Sequence, residues 1–105
     1  ALACCLFEGF MDFLSYLTLV KQEKLLPPCR QPDLIVLNSV SNLSKALSRL
    51  KAYKEIYCFL DNDDAGRKVV ELLREMNTAT VYNMMEAFPY YKDVNDLLRD
   101  KKRMP

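Results

Sequence analysis

Apolar residues with high β-propensity occur along the chain in four short runs, at positions 3–7, 34–37, 56–60 and 78–82. Each run is continuous rather than alternating, and continuous apolar runs are typical of strands that are buried on both faces of a parallel sheet. The pattern therefore predicts four strands, separated by segments that are long enough to hold a helix each.

Between these runs, apolar residues recur with the period of an α-helix. The spacing i, i+3, i+4, i+7 occurs three times, and a shorter stripe follows the last predicted strand. The predicted apolar stripes are Phe10, Phe13, Leu14 and Leu17; Leu43, Ala46, Leu47 and Leu50; Val69, Leu72, Leu73 and Met76; and Val94, Leu97 and Leu98. Asp93 is placed to cap the fourth helix. The order β-α-β-α-β-α-β-α predicts an α/β fold with a central four-stranded parallel sheet and helices on both faces.

The chain has 105 residues, of which 50% are hydrophobic, so it fits one domain spanning residues 1–105. It begins with Ala1 in an apolar run rather than with methionine, and we therefore expect a fragment of a longer protein. No stretch has the length of a membrane span or the basic start of a signal peptide. Cys4, Cys5 and Cys58 lie in apolar runs and no C-x-x-C pair occurs, which favours a reducing compartment. We expect a cytoplasmic protein without a membrane partner.

The balance of charged residues narrows the possible chemistry. Fifteen Lys and Arg against fourteen Asp and Glu give a net charge of +1, so bulk charge indicates neither nucleic acid nor membrane as a partner. The chain contains no histidine, which excludes Ser-His-Asp and Cys-His catalysis and histidine metal ligands. Any acid-base or metal chemistry must therefore depend on carboxylates.

Acidic residues follow three of the four predicted strands. Glu8 comes after the first strand, Asp61 and Asp63 after the third, and Asp93 beyond the fourth, while Asp12 lies in the first turn of the first helix. If the first and third strands are neighbours where the strand order reverses, these side chains face one crevice. Carboxylate oxygens without His or Cys favour Mg²⁺, Mn²⁺ or Ca²⁺ over Zn²⁺. We expect Mg²⁺, or Mn²⁺ in its place.

The same acidic residues also have purely structural interpretations. Asp63 or Asp64 could cap the third helix, and Asp93 the fourth. An EF-hand loop beginning at position 61 is excluded, because Ala65 and Leu72 occupy two of its ligand positions. Half of the fourteen acids are concentrated at these strand ends and helix starts, namely Glu8, Asp12, Asp61, Asp63, Asp64, Asp93 and Asp96. The fifteen basic residues therefore exceed the other seven acids by eight positive charges. That excess would suit a phosphate backbone beside an acidic pocket.

Three ordered motifs resemble those of a known family. They are E-G-F-M-D at residues 8–12, D-N-D-D-A-G-R at residues 61–67, and K-D at residues 92–93. The chain resembles the Toprim domain of bacterial primases and topoisomerases, most closely the primase-type domains of bacterial and mobile-element DNA primases. The resemblance spans nearly the whole chain, and it implies a three-layer, Rossmann-like fold in agreement with the pattern of strands and helices.

The resemblance also implies roles for the acidic residues. Glu8 would act as general acid/base or metal ligand, and Asp61 and Asp63 would coordinate Mg²⁺. Asp12 and Asp93 match further acidic positions close to the metal. These five residues form the predicted catalytic and metal site.

Other residues match the family pattern less closely. Asn95 is a neutral amide where primase-type members often carry a second acid, which would weaken one metal site. Ser39 lies in the position of a small polar loop of the family, although it could equally begin the second helix. Arg67 and Lys68 in the first turn of the third helix, together with Lys92, could contact phosphate or nucleic acid, the alternative being ordinary solvated charges.

The function implied by the resemblance is Mg²⁺-dependent phosphoryl or nucleotidyl transfer on nucleic acid. The domain would act in a DNA primase-like nucleotidyltransferase of DNA replication, with DNA or RNA, nucleotides and other domains of the parent protein as partners. Three alternatives are a nuclease or topoisomerase fragment, a non-catalytic Toprim-like module that binds nucleic acid or protein, and a haloacid-dehalogenase-like phosphatase. The last requires a nucleophilic aspartate after the first strand, where this chain has Glu8.

Overall fold

A computed structural model describes residues 2–76 and 79–103. The strands are β1 (Ala3–Phe7), β2 (Asp33–Val36), β3 (Glu55–Phe59) and β4 (Thr80–Asn83). The α-helices are α1 (Phe10–Lys21), α2 (Leu43–Leu50), α3 (Asp64–Met76) and α4 (Val94–Leu98), and short 3-10 helices occupy Val40–Asn42 and Met84–Ala87. The alternating order agrees with the prediction. None of the helices described is long and apolar enough to cross a membrane.

The four strands form one parallel sheet with the order β2-β1-β3-β4. Phe7, the last residue of β1, lies opposite Val36 of β2 and Phe59 of β3, so the carboxyl ends of these three strands are level. The predicted α/β fold with a central four-stranded parallel sheet is therefore confirmed. The predicted strands differ from the observed ones by at most two residues at an end, and Thr78, which was placed in the fourth strand, lies outside the described residues.

Helices cover both faces of the sheet, as predicted. Alternate residues of β1 and β3 point to opposite faces and divide the core into two clusters. On one face α2 and α3 pack through Leu43, Leu50, Val69, Val70 and Leu73 onto Cys4, Leu6, Ile56, Cys58 and Val81. On the other face α1 and α4 pack through Tyr16, Leu19 and Val94 onto Ala3, Cys5, Phe7, Tyr57 and Phe59. The domain therefore has the three layers expected of it.

The expectation that all four strands are buried on both faces is wrong for the two edges of the sheet. Every residue of β1 is buried, and so is β3 after its first residue, because these strands are central. In β2 the first two residues are exposed, and in β4 Tyr82 is 40% exposed. A continuous apolar run cannot distinguish a central strand from an edge strand, because that difference depends on the strand order.

The buried face of α1 also differs from the predicted stripe. Phe10, Leu14 and Leu17 of that stripe are 56%, 38% and 41% exposed. The buried residues of α1 are instead Asp12, Ser15, Tyr16 and Leu19, which have the same i, i+3, i+4, i+7 spacing. This helix is apolar on nearly every side, with only Asp12 and Lys21 charged, so two stripes compete for the core. The second stripe is buried because its polar members form hydrogen bonds with α4.

Candidate metal centre

The carboxyl ends of β1 and β3 lie side by side at the centre of the sheet. From β1 the chain passes to β2 on one side, whereas β3 and β4 lie on the other, so the strand order reverses here. In open α/β sheets, ligands bind outside the carboxyl ends of the strands at such a point. Glu8 follows β1 by one residue and Asp61 follows β3 by two, so both carboxylates belong to this crevice.

An aromatic layer supports these strand ends from the α1 side. Phe7 and Phe59 stack with a centroid distance of 5.3 Å and an interplanar angle of 13°, and Tyr16 of α1 lies 5.1 Å and 5.0 Å from the two rings. The three rings are buried. Because they exclude water next to Glu8 and Asp61, they weaken the solvation of any charge placed there.

Three carboxylates converge at the crevice from three different elements. Asp12 comes from the first turn of α1, Asp61 from the end of β3, and Asp93 from the residue before α4. One oxygen of each lies within 4.8 Å of the others, a separation that a single metal ion can bridge. Asp12 is only 7% exposed, which is unusual for an acid without a cationic partner. We call Asp12, Asp61 and Asp93 the acidic triad.

Glu8 adjoins the triad through Asp61. The backbone N–H of Asp61 donates to Oε1 of Glu8 at 3.5 Å. Burial, a hydrogen bond between the two carboxyl groups and the charges of Glu8, Asp12 and Asp93 raise the pKa of Asp61 to about 8. A raised pKa of this origin means that Asp61 keeps a proton near neutral pH in the metal-free domain.

The pKa of Asp12 is raised for similar reasons. Burial is the largest cause, the charges of Asp93 and Glu8 add to it, and backbone hydrogen bonds from Asn95 and Gly9 act in the opposite direction. The resulting pKa is about 6.

The ion pairs Arg67–Asp64 and Arg74–Glu71 both lie on α3. Within residues 2–76 and 79–103, no lysine or arginine forms an ion pair with the triad, so its charge is not compensated by the chain.

Two of the predicted ligands also cap helices. Oδ1 of Asp93 accepts a hydrogen bond from the backbone N–H of Asp96 at 2.7 Å, which confirms the predicted cap of α4. Oδ1 of Asp63 accepts one from the backbone N–H of Gly66 at 2.8 Å at the start of α3. Asp93 is nevertheless a member of the triad, whereas Asp63 is not. The role of Asp63 as a metal ligand stays a prediction.

Gly66 allows α3 to approach the backbone of Asp61. A Cβ atom at Gly66 would lie 2.1 Å from the carbonyl oxygen of Asp61, which is too close for any side chain. The glycine of the D-x-D-x-A-G-R motif therefore has a packing reason that concerns the site directly. It sets how closely the first turn of α3 fits behind Asp61.

Sequence analysis did not identify Asn62, which connects β3 to the segment leading to Asp93. Its side-chain amide donates to the backbone carbonyls of Met85, Phe88 and Tyr91 at 3.1, 3.0 and 2.8 Å. Its backbone N–H donates to the carbonyl of Lys92 at 2.6 Å. These contacts span 23 to 30 residues along the chain, so only the D-N-D motif pointed to this position. Asn62 holds the loop that brings Asp93 to the triad.

Asn95 links α4 to α1, and the weakening of a metal site by its neutral amide stays a prediction. Its backbone N–H donates to Oδ1 of Asp12 at 3.2 Å, and its side-chain oxygen lies 3.0 Å from the hydroxyl of the buried Ser15. That hydroxyl also lies 2.8 Å from the carbonyl oxygen of Met11. The backbone of Asn95 therefore orients Asp12, while its side-chain amide joins α4 to α1 through Ser15.

The predicted phosphate contacts lie outside the triad. The hydroxyl of Ser39 accepts a hydrogen bond from the backbone N–H of Ser41 at 3.2 Å and caps the 3-10 helix that precedes α2. This agrees with the alternative interpretation of Ser39 as the start of the second helix. Arg67 pairs with Asp64 at 2.9 Å, and Lys68 and Lys92 are exposed. Contact of these residues with phosphate or nucleic acid stays a prediction.

The fold and the acidic triad define a class of protein: a parallel α/β domain with a cluster of three carboxylates at its switch point, close enough together to hold a metal ion. The chain belongs to the Toprim-like family, which matches residues 5–98. This confirms the resemblance that the three motifs indicate.

Its fold is similar to that in the crystal structure of the primase fragment of the bacteriophage T7 primase-helicase protein, with a TM-score of 0.60 at 20% sequence identity. The similarity covers 95% of this chain and 39% of the T7 fragment, so the chain spans less than half the length of that fragment. The curated proteins contain no match.

Proposed function

We propose that this domain carries out Mg²⁺- or Mn²⁺-dependent phosphoryl or nucleotidyl transfer on nucleic acid, as the Toprim domain of a DNA primase-like protein. The observation that carries the proposal is the acidic triad itself, in which three carboxylates from three elements converge without an ion-pair partner among the described residues. Such a cluster is electrostatically unfavourable until a cation binds. Membership of the Toprim-like family and the similarity to a primase fragment support the same conclusion.

The donor set fits a hard divalent cation. Asp12, Asp61 and Asp93 offer carboxylate oxygens only, which suits Mg²⁺ or Mn²⁺ rather than Zn²⁺. A cation held there would neutralise charge on a substrate phosphate during the transfer. Asp12 is oriented by Asn95, and Asp93 by its cap on α4, so two of the three ligands are held in place before the cation binds.

Glu8 would then serve as the acid-base group. It lies against Asp61, whose backbone N–H donates to Oε1 of Glu8 at 3.5 Å. When Asp61 is occupied as a ligand, Glu8 is left as the carboxylate next to the reacting groups, where it would accept the proton of an attacking hydroxyl. The chain offers no histidine for this step.

The expected partners are DNA or RNA, nucleotides, and other domains of a longer parent protein. The proposal for other domains rests on the comparison with the T7 primase fragment, of which this chain covers 39%. Catalysis in the parent protein would use those domains to hold template and nucleotide, because the triad alone provides no surface that selects a base.

A titration of the domain with Mn²⁺, followed by electron paramagnetic resonance, tests the proposal. Asp61→Asn removes a ligand charge while keeping the shape of the side chain, and we expect affinity to fall by about 100-fold or more, since loss of a contact one step further out already costs about 10- to 100-fold. Circular dichroism should show an unchanged fold. A wild-type domain that binds no Mn²⁺ would contradict the proposal.

Two matched variants serve as controls. Asp64→Asn makes the same chemical change at a carboxylate whose side chain is 91% exposed and paired with Arg67, and it should leave the affinity for Mn²⁺ unchanged. Asp63→Asn keeps the cap of α3, because asparagine caps as well as aspartate. A fall in affinity in Asp63→Asn would support its predicted role as a ligand, and an unchanged affinity would restrict Asp63 to capping.

A further inference from the structure

The last described segment of the chain, residues 99–103, folds back against the rim of the candidate metal centre. The backbone N–H of Lys101 donates to the carbonyl of Asp96 at 2.9 Å, and that of Arg103 donates to the carbonyl of Tyr90 at 2.7 Å. The guanidinium of Arg103 donates to the backbone carbonyl of Asn62. These three contacts fix the segment beside the loop that carries Asp61.

This segment, which we call the basic strap, carries a high local charge. Its sequence is R-D-K-K-R, and all five residues are exposed. The single acid, Asp100, accepts a hydrogen bond from the hydroxyl of Tyr91. No ion pair within the described ranges involves a base of the strap. The strap therefore presents four cationic side chains to solvent at one side of the acidic triad.

An exposed aromatic ring adjoins the strap. Tyr90 follows Pro89 in the turn between the 3-10 helix Met84–Ala87 and α4, and it is 51% exposed. Its backbone carbonyl accepts a hydrogen bond from the backbone N–H of Arg103 at 2.7 Å, so the turn that carries the ring lies beside the strap. Lys92, two residues further along, is also exposed. Basic side chains around an exposed ring are the combination with which proteins bind single-stranded nucleic acid.

We propose that the basic strap and Tyr90 form a surface that binds single-stranded nucleic acid and leads it to the acidic triad. The inference builds on the proposed function, since it names the form of nucleic acid that the site would receive. A ring on an exposed turn can stack only with a base that is not already stacked within a duplex, which favours a single strand. Arg103 binds the carbonyl between Asp61 and Asp63, so a strand on the strap reaches the rim of the triad.

The charge contribution is tested by fluorescence anisotropy with a labelled 12-nucleotide oligo-dT, in EDTA and at several salt concentrations. Each phosphate contact contributes about 0.7 to the slope of log affinity against log salt for a single strand. We expect Lys101→Gln with Lys102→Gln to lower that slope by about 1.4. The matched control, Lys45→Gln with Arg49→Gln on α2, removes the same charge from another exposed surface and should leave the slope unchanged.

The stacking contribution is tested with Tyr90. Stacking of one base on an aromatic ring contributes enough that Tyr90→Ala should weaken binding of oligo-dT by about 5- to 150-fold. Tyr90→Phe keeps the ring and should bind like the wild type. Because the hydroxyl of Tyr90 forms no hydrogen bond within residues 2–76 and 79–103, neither variant is expected to unfold the domain.

The outcomes separate this inference from the proposed function. Equal losses in the strap variant and the α2 control, wild-type affinity in Tyr90→Ala, or binding of duplex DNA as tight as of oligo-dT would each overturn it. Since the binding is measured in EDTA, a domain that takes up no Mn²⁺ overturns the proposed function alone. A domain that binds Mn²⁺ but loses no affinity for oligo-dT in the variants overturns the strap alone.

Discussion

The helices α1 and α3 both begin directly after a central strand, yet they contribute to the candidate metal centre in different ways. From its first turn α1 supplies a buried side chain, Asp12, to the acidic triad. The first turn of α3 supplies no carboxylate to the triad. Gly66 of α3 instead packs against the backbone of Asp61, and Asp63 caps the N-terminus of α3. One helix provides a carboxylate of the triad, and the other fixes the position of a triad carboxylate that follows the strand.

The outer faces of α1 and α3 also differ, because one is apolar and the other is charged. On α1 the exposed face carries Phe10, Met11, Leu14 and Leu17. On α3 it carries the ion pairs Arg67–Asp64 and Arg74–Glu71. Because α1 buries its polar residues at the site, it leaves its apolar residues outside, whereas α3 has an ordinary charged outer face. The need to place one carboxylate thus determines the orientation of a whole helix.

The largest expected effect comes from adding one methyl group at the start of α3. Gly66→Ala would place Cβ 2.1 Å from the carbonyl oxygen of Asp61, and backbone must move to relieve the overlap. We expect a loss of about 3 kcal/mol in the free energy of unfolding, measured with urea. Because Asp61 moves with the backbone, affinity for Mn²⁺ should also fall.

The corresponding change before α1 is the control for this comparison. Gly9→Ala places Cβ 3.5 Å from Oδ2 of Asp12, an ordinary contact, and the φ of Gly9 is −128°, which alanine adopts freely. We expect a change of less than about 1 kcal/mol. If the two variants lost similar free energy of unfolding, the loss in Gly66→Ala would not be explained by the close approach of α3 to Asp61.

The next effect is a dependence of stability on pH. In the folded, metal-free domain the pKa values of Asp61 and Asp12 are raised to about 8 and about 6. A raised pKa stabilises the fold while the group is protonated, so this contribution is complete below pH 4 and is lost as pH rises to 8. Ordinary carboxylates have titrated by pH 5 and the chain has no histidine, so the interval from pH 5 to pH 8 isolates this effect.

We expect the free energy of unfolding without metal to fall by about 2 kcal/mol between pH 5 and pH 8, the partial exposure of the site limiting the change. Urea unfolding in EDTA at both pH values measures it. Asp61→Asn should reduce the difference and stabilise the domain at pH 8, because a neutral amide relieves the repulsion within the triad. Saturating Mg²⁺ should have a similar effect. A wild-type domain that is equally stable at both pH values would contradict the raised pKa values of Asp12 and Asp61.

The sequence predicts the strands and helices well because period and continuity of apolar residues depend on local geometry alone. It does not predict which strands are at the edges, since the burial of β2 and β4 follows from the order of strands in the sheet. Nor does it predict the orientation of α1, where two stripes share one spacing. The choice between them depends on Asn95, which is 80 residues from Ser15 in the sequence.

For the site, the acids at the strand ends were identifiable because parallel strands bring their carboxyl ends to one edge. The different positions of Asp61 and Asp63 could not be identified from the sequence, because a D-x-D motif does not say which acid caps the helix. Asn62 was beyond prediction for another reason: its three carbonyl acceptors belong to a loop without a repeating pattern. Contacts between irregular segments leave no period in the sequence.

The smallest expected effect is that of Leu17→Ala, which tests the orientation of α1 against Leu19→Ala as a positive control. Leu17 belongs to the apolar stripe that the sequence places in the core, but it is 41% exposed, whereas Leu19 is 4% exposed in the core cluster between α1 and the sheet. We expect Leu17→Ala to change the free energy of unfolding by less than about 1 kcal/mol, and Leu19→Ala to lower it by about 2–4 kcal/mol. Urea unfolding of the two variants makes the comparison. If Leu17→Ala cost more than Leu19→Ala, α1 would be rotated toward the predicted stripe, and Asp12 could not reach the triad.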